Sequence, residues 1–276
     1  MIGRVRFVRG TRRACSAVLG IFLLAAPVAA MTVEDCRRIQ SLLAKTVPAV
    51  DDLRIAPRLS DDGWCRVIDG PFGGGLEWRF ELSGDQFEAA FRQNGLEFDG
   101  MGPFDLVGGV ARSDDDRLRI GPVRLETRAG DTAVLSATSP TFADMQSGVE
   151  AAGLERASLT VSGDRGLVDD VLAWAFRLDG AAAASSFIAA RDQREDMLAW
   201  LSENAALIDA ASATAFRTMI EAYPRARGTA RISIREDQPV QIGGLLSAVL
   251  FGSSLTREDA AKLIEEAGLR FTWTPG

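Results

Sequence analysis

The clearest strand signal in the chain is the stretch Leu76-Glu77-Trp78-Arg79-Phe80-Glu81-Leu82. Apolar and charged residues alternate along it, and successive side chains of a β-strand point to opposite faces of a sheet. The stretch therefore predicts a strand with one apolar face and one face turned to water. The same alternation returns in residues 157–162 and 230–235, which we interpret as further strands of one antiparallel sheet.

Turn and cap residues predict the elements around this strand. Ser83 and Gln86 are typical of the capping pair of a short helix, and Gly95 is typical of its end. The apolar face of this predicted helix consists of Phe87, Ala90 and Phe91. From residue 104 to residue 163 the pattern predicts successive strands, and the change of phase at Gly121-Pro122 indicates a bulge or kink in an edge strand.

After Gly163 the pattern becomes mostly helical. Apolar residues recur with helical spacing in the segments 167–175, 181–206, 216–223 and 256–267, and a closing strand is predicted at 270–273. Strands mostly first and helices mostly later predict an α+β fold. We expect an antiparallel, curved β-sheet packed by several helices that are concentrated in the C-terminal half. Residues 31–276 are predicted to form a single domain, because neither a linker nor a low-complexity tract divides them.

Residues 1–30 have the three parts of a secretory signal peptide. Five arginines precede an apolar stretch over residues 14–26, and Pro27-Val28-Ala29-Ala30 follows as a cleavage signal of small residues. The apolar stretch is shorter than the roughly 20 residues that span a bilayer. We therefore expect cleavage after Ala30 and a soluble periplasmic protein without a stable transmembrane segment. Sec export is favoured over the twin-arginine route, because Cys15 and Ser16 stand where that signal is usually hydrophobic.

The charge balance argues against anionic partners. The whole chain has 31 basic and 38 acidic residues, a net charge of −7, and without the five arginines of residues 1–30 the net charge is −12. Such a chain repels phosphate backbones and anionic headgroups, so nucleic-acid binding is not expected.

Two cysteines, Cys36 and Cys65, follow residue 30. In an oxidising compartment an even pair predicts a disulfide. Cys36 lies in the first turn of a helix that begins at Thr32, with Asp35 closing a capping box. The disulfide would pin this helix to the segment around Cys65.

The chain has no histidine, which excludes histidine-dependent triads and histidine-bound zinc or haem. Carboxylate pairs remain, and a hydrolase that cleaves glycans needs two acids that face each other across a cleft. The adjacent pairs Asp169-Asp170, Glu258-Asp259 and Glu265-Glu266 are predicted to be solvated helix faces or first-turn acids. The acidic segments 113–116 and 61–63 are predicted to be turns and the glycine cluster 70–75 a loop. We predict no catalytic residue, metal or cofactor.

The most apolar stretch after residue 30 is the segment 242–251, Ile-Gly-Gly-Leu-Leu-Ser-Ala-Val-Leu-Phe. It is too short to span a membrane. A buried core helix is the first interpretation, and the alternative is a mobile flap that covers an apolar ligand or touches a bilayer. In the second case the contact residues would be Ile242, Leu245, Leu246, Val249, Leu250 and Phe251.

Four segments give the C-terminal half a resemblance to a protein family. They are 159–167 (Leu-Thr-Val-Ser-Gly-Asp-Arg-Gly-Leu), 228–234 (Gly-Thr-Ala-Arg-Ile-Ser-Ile), 238–240 (Gln-Pro-Val) and 255–260 (Leu-Thr-Arg-Glu-Asp-Ala). Together they resemble the C-terminal half of uncharacterised Gram-negative periplasmic proteins of AsmA-like character. The resemblance implies a sheet with an apolar concave face and a role in envelope maintenance or lipid handling, and it supplies no catalytic residue.

These observations favour a non-catalytic periplasmic protein that binds an apolar, lipid-like ligand or an envelope partner protein. The alternative is a carboxylate-dependent hydrolase or lyase that acts on cell-wall glycan.

Overall fold

The computed structural model describes residues 31–46, 56–67, 75–83, 86–98, 101–112, 115, 117–139, 153–176, 187–234, 240–241 and 268–276. In this part of the chain ten antiparallel strands form one sheet that does not close on itself. Their order in the sheet follows the chain: β1 Arg58–Leu59, β2 Cys65–Val67, β3 Leu76–Ser83, β4 Gln86–Phe98, β5 Met101–Arg112, β6 Leu118–Thr127, β7 Thr132–Ser139, β9 Arg156–Gly163, β10 Gly228–Ser233 and β12 Arg270–Pro275. The strands β8 Gly153–Leu154 and β11 Val240–Gln241 form a separate pair.

Helices precede and interrupt this meander. Their bounds are α1 Val33–Thr46, α2 Leu167–Ala175, α3 Phe187–Asn204 and α4 Ala210–Ala222, with a 3₁₀ turn at Ala205–Leu207. The predicted antiparallel sheet is confirmed, and so is the return of the late strands β10 and β12 to it. The described structure is richer in strand than in helix, and most of its helices lie in the C-terminal half. The predicted helix at 256–267 lies outside the described residues.

The helix predicted at 83–95 is wrong, because this segment is the strand β4. Ser83 and Gln86 are Cα partners in the β3–β4 hairpin, and β4 continues in register with β5 on its other side. Ala89 and Gln93 are buried on the apolar face of the sheet. Gly95 has a positive φ of 69°, which is also the conformation expected of a residue that ends a helix. In the structure it lies at a register shift between β4 and β5. Strand pairing on both sides overrides the local helical spacing.

The bulge predicted at Gly121-Pro122 is confirmed, but its predicted place in an edge strand is wrong. The β6–β7 register shifts between Ile120 and Val123, and β6 lies in the interior of the sheet between β5 and β7. Gly121 has a φ of 92°, and a Cβ there would lie 2.4 Å from the carbonyl oxygen of Leu135. The bulge removes Pro122 from the ladder, which is why an interior strand tolerates a residue without an N–H.

The helix α1 is held at one end of the sheet. Its capping box is confirmed: the N–H of Thr32 donates to Oδ2 of Asp35 at 2.9 Å, and the N–H of Asp35 donates to Oγ1 of Thr32 at 3.2 Å. The predicted disulfide joins Cys36 to Cys65, and both residues are fully buried beside Val67. The disulfide therefore ties the first turn of α1 to β2.

The helix α4 covers the other end of the sheet, where β12 is the last strand. The backbone N–H of Phe271 donates to Oγ of Ser212 at 2.9 Å, and this hydroxyl donates to Oδ2 of Asp209, the N-cap of α4, at 2.5 Å. Ser212 is buried by this arrangement. A backbone group at the free edge of β12 is thus satisfied by a side chain of α4.

Candidate functional site

A row of apolar side chains crosses five strands on the apolar face of the sheet. Consecutive Cα partners on β6, β7, β9, β10 and β12 form it: Val123, Leu135, Leu159, Ile232 and Phe271. We call these five residues the apolar row. Leu135 is 41% exposed and Ile232 is 40% exposed, and the other three are half-buried. Four strand spacings give the row a length of about 19 Å.

The described helices α2 to α4 pack beside this row. The neighbouring row on the same face consists of Leu125, Ala133, Val161, Ala230 and Trp273. In this second row Val161 and Ala230 are buried in the hydrophobic core, to which α2, α3 and α4 contribute side chains. Leu159 and Phe271 of the apolar row are only partly buried at the border of that core. The edge of the helical layer therefore leaves Leu135 and Ile232 in contact with water.

Aromatic rings continue the apolar row between the helices. The ring centroid of Phe271 lies 4.9 Å from that of Phe216, which lies 6.1 Å from that of Phe176. Phe176 meets Trp200 edge to face at 5.2 Å. All four rings are half-buried. An extended apolar group on the row would thus meet polarisable aromatic surface at the β12 end.

The predicted contact segment 242–251 lies outside the described residues, so Ile242, Leu245, Leu246, Val249, Leu250 and Phe251 stay a prediction. The flanks of residues 242–267 are described. The pair β8–β11 lies beside the end of β7, where the N–H of Glu155 donates to the carbonyl of Thr138 at 2.9 Å. On the other side the chain re-enters the sheet at Arg270, one residue before Phe271 of the apolar row.

Asp169 is the described carboxyl with the largest upward pKa shift. It is 4% exposed, and its Oδ1 accepts the buried N–H of Ala226 at 3.2 Å. Burial raises the pKa of Asp169 to about 6, the Ala226 hydrogen bond opposes the rise, and the charge of Asp170 adds to it. The prediction that Asp169 and Asp170 occupy a first helical turn is confirmed, but for Asp169 a solvated helix face is wrong. The loop that follows α4 buries it.

We expect Asp169→Asn to stabilise the protein at neutral pH. The folded pKa of about 6 exceeds the ordinary value of 3.8, so the carboxyl contributes stability while protonated and loses it as pH rises through this window. The amide keeps an oxygen for Ala226, and the gain should reach about 2–3 kcal/mol near pH 7. Urea unfolding of both proteins between about pH 4 and pH 8 measures it. The gain in the free energy of unfolding should vanish near pH 4. A gain that is constant over this pH range, or an equal gain in the exposed control Asp196→Asn, would contradict the burial of a charged carboxylate as its cause.

Asp131 is a second buried acid, and its role is structural. Its Oδ1 accepts the N–H groups of Asp164 and Arg165 at 2.9 and 3.2 Å. Its Oδ2 accepts those of Arg165 and Leu167 at 3.0 and 3.1 Å. This carboxylate therefore fills the space before the first turn of α2 that an anionic ligand would otherwise use.

No protein-family model, curated protein or solved structure matches this chain. In the described part of the chain no group of three or more His, Cys, Asp or Glu residues could hold a metal ion. No described helix has the length and apolarity to cross a membrane.

The remaining predicted candidates give no site. The turn at Asp61-Asp62-Gly63 is confirmed, and Ser60 donates to the Asp62 carboxylate in it. Asp115 pairs with Arg117 at 3.2 Å. The other residues of 113–116, the pairs Glu258-Asp259 and Glu265-Glu266, and the glycine loop up to residue 74 lie outside the described residues. Sequence reasoning missed the apolar row, although the alternation around Leu159 and Ile232 had placed both residues on the apolar face.

Proposed function

We propose that this chain is an exported, non-catalytic protein of the bacterial envelope that binds an apolar, lipid-like chain along the apolar row. The observation that supports it is the exposure of Leu135 and Ile232 on either side of Leu159, on a face that helices cover elsewhere. The row is about 19 Å long and one residue wide on each strand, which suits an extended chain better than a compact ligand. Export and the periplasmic compartment rest on the signal peptide predicted in residues 1–30.

The resemblance to AsmA-like periplasmic proteins agrees with this proposal and stays a prediction. The curvature of the sheet, which would make the apolar face concave, also stays a prediction.

Glycan cleavage by paired carboxylates has less support. Adjacent residues on a helix point in different directions, so Asp169 and Asp170 do not face each other across a substrate. Asp169 is also buried under the loop that contains Ala226, where a sugar has no access.

Binding of a fluorescent long-chain fatty acid tests the proposal. We expect saturable binding that the double variant Leu135→Ser/Ile232→Ser weakens roughly thirtyfold, because burying both side chains against the ligand contributes about 2 kcal/mol. The matched control is Val33→Ser, since Val33 is 40% exposed on α1 at the far end of the sheet. Equal binding by both variants contradicts the role of the row. If the fatty acid does not bind and a protein with an apolar segment co-purifies from the envelope fraction, the ligand of the row is a partner protein and not a lipid.

A further inference from the structure

The face of the sheet opposite the apolar row carries exposed arginines. On strands β6, β9, β10 and β12 they are Arg119, Arg124, Arg156, Arg231 and Arg270. Serine and threonine occupy most of the positions between them, such as Thr138, Ser158 and Thr160. Among the positions of this face on the described strands β6 to β12, Glu126 is the one acid. We call these five arginines the basic face.

This excess of positive charge is local. On β2 to β4 three arginines of the same face are matched by three acids: Arg66 and Arg92 both pair with Glu77, Arg79 pairs with Glu81, and Glu88 is the Cα partner of Glu81. On the basic face Arg124 pairs with Glu126 at 3.0 Å, and the exposed Asp105 of the neighbouring strand β5, the Cα partner of Glu126, is a second acid on the same surface. The five arginines therefore still outnumber the described acids of this part of the face. The whole chain has a net charge of −7, so its average charge conceals a basic surface. The expectation that the chain repels anionic headgroups therefore does not extend to this face.

The arginines form a two-dimensional array. From β6 to β12 the array spans four strand spacings, about 19 Å. Along the strand direction, the separation of Arg119 and Arg124 on β6 follows from their Cα partners on β7. These partners, Thr138 and Val134, are four residues apart, which is about 13 Å. A linear polyanion needs a single track of charges, whereas an array of this shape matches many anionic groups in one plane.

Two valines add an apolar component. Val107 is 55% exposed and is the Cα partner of Arg124, and Val134 is the next partner along the same row. Apolar side chains among exposed arginines suit the boundary of a bilayer, where guanidinium groups meet phosphates and short apolar groups enter the headgroup layer.

We propose that the basic face docks the protein on the anionic headgroup layer of a membrane. Each arginine near such a surface gains from its negative potential, and guanidinium can donate two parallel hydrogen bonds to one phosphate. Docking in this orientation turns the apolar row away from the bilayer. The proposal does not require the apolar ligand of the proposed function.

Sedimentation with vesicles tests the docking. The full mature chain is mixed with phosphatidylcholine vesicles that contain about one third phosphatidylglycerol, and with pure phosphatidylcholine vesicles. We expect binding to the first alone, and its loss when salt is raised from about 0.05 M to about 0.5 M. The variant Arg119→Glu/Arg231→Glu should bind on the order of 1000-fold more weakly, because four unit charges change at the interface. Arg119→Lys/Arg231→Lys should retain most of the binding.

The control is Arg38→Glu/Arg217→Glu, which changes the net charge equally at exposed sites on α1 and α4. It should bind as the unchanged protein does, and thermal unfolding checks that all variants fold. Equal loss in both charge-reversed variants, or no binding to anionic vesicles at low salt, overturns the proposal. It is also overturned if the basic face binds soluble polyphosphate but not vesicles, or if it mediates salt-sensitive self-association instead.

Discussion

Replacing Asp131 by alanine is expected to lower the free energy of unfolding by about 4 kcal/mol. The carboxylate is 5% exposed and accepts three backbone N–H groups of the segment that enters α2, and that of Arg165 is shared between its two oxygens. Its removal leaves these donors without their partner, and that of Leu167 is buried. Urea unfolding of the two proteins measures the loss.

The neighbouring Asp164 provides the control, because it is exposed and takes part in the same turn through its backbone alone. Asp164→Ala should change stability by less than about 0.5 kcal/mol. Gly163→Ala tests the same contact from the other side, since its Cβ would lie 2.5 Å from Cγ of Asp131. Should Asp131→Ala prove as mild as Asp164→Ala, the carboxylate does not hold α2 in place.

Reduction of the Cys36–Cys65 disulfide is expected to destabilise the protein by about 3–4 kcal/mol. The bond closes a loop with a sequence separation of 29, and a loop of this length restricts the unfolded chain by about that amount. Thermal unfolding with and without a reductant measures the difference, and α1 should detach first because its first turn is tied to β2 through this bond.

The double variant Cys36→Ala/Cys65→Ala is the matched control for reduction. Its stability should be low and unaffected by the reductant, which separates loss of the bond from other effects of the reagent. A wild-type protein that unfolds at the same temperature in both conditions would show that the bond contributes nothing to the fold.

The two-residue period predicted the strands well wherever turns bounded them. Around Leu76 and Leu159 the alternation was complete, and both segments are strands of the sheet. It failed at β4, because Phe87, Ala90 and Phe91 also fit a helix and the pairing partners on β3 and β5 are not visible in a local pattern. The disulfide was predictable because Cys36 and Cys65 were the two cysteines left after residue 30.

The candidate sites depend on how far each layer extends, which local patterns do not encode. Alternation placed Leu159 and Ile232 on the apolar face, but whether a helix covers them is decided by the docking of α2 to α4 on Val161 and Ala230. Net charge likewise averages over the surface. Arg119 and Arg231 are 112 positions apart in the sequence and share one face only because the strands β6 to β10 pair in this register.

The hydrogen bond from Phe271 to Ser212 has a consequence for assembly. An open sheet offers unpaired backbone at its outer strands, where another chain can add a strand of its own and begin a fibre. Because α4 packs against β12, a strand of another chain must first displace this helix and break this hydrogen bond. At the opposite border β1 is only two residues long, which leaves little backbone for templating. The fold thereby discourages its own polymerisation at both borders.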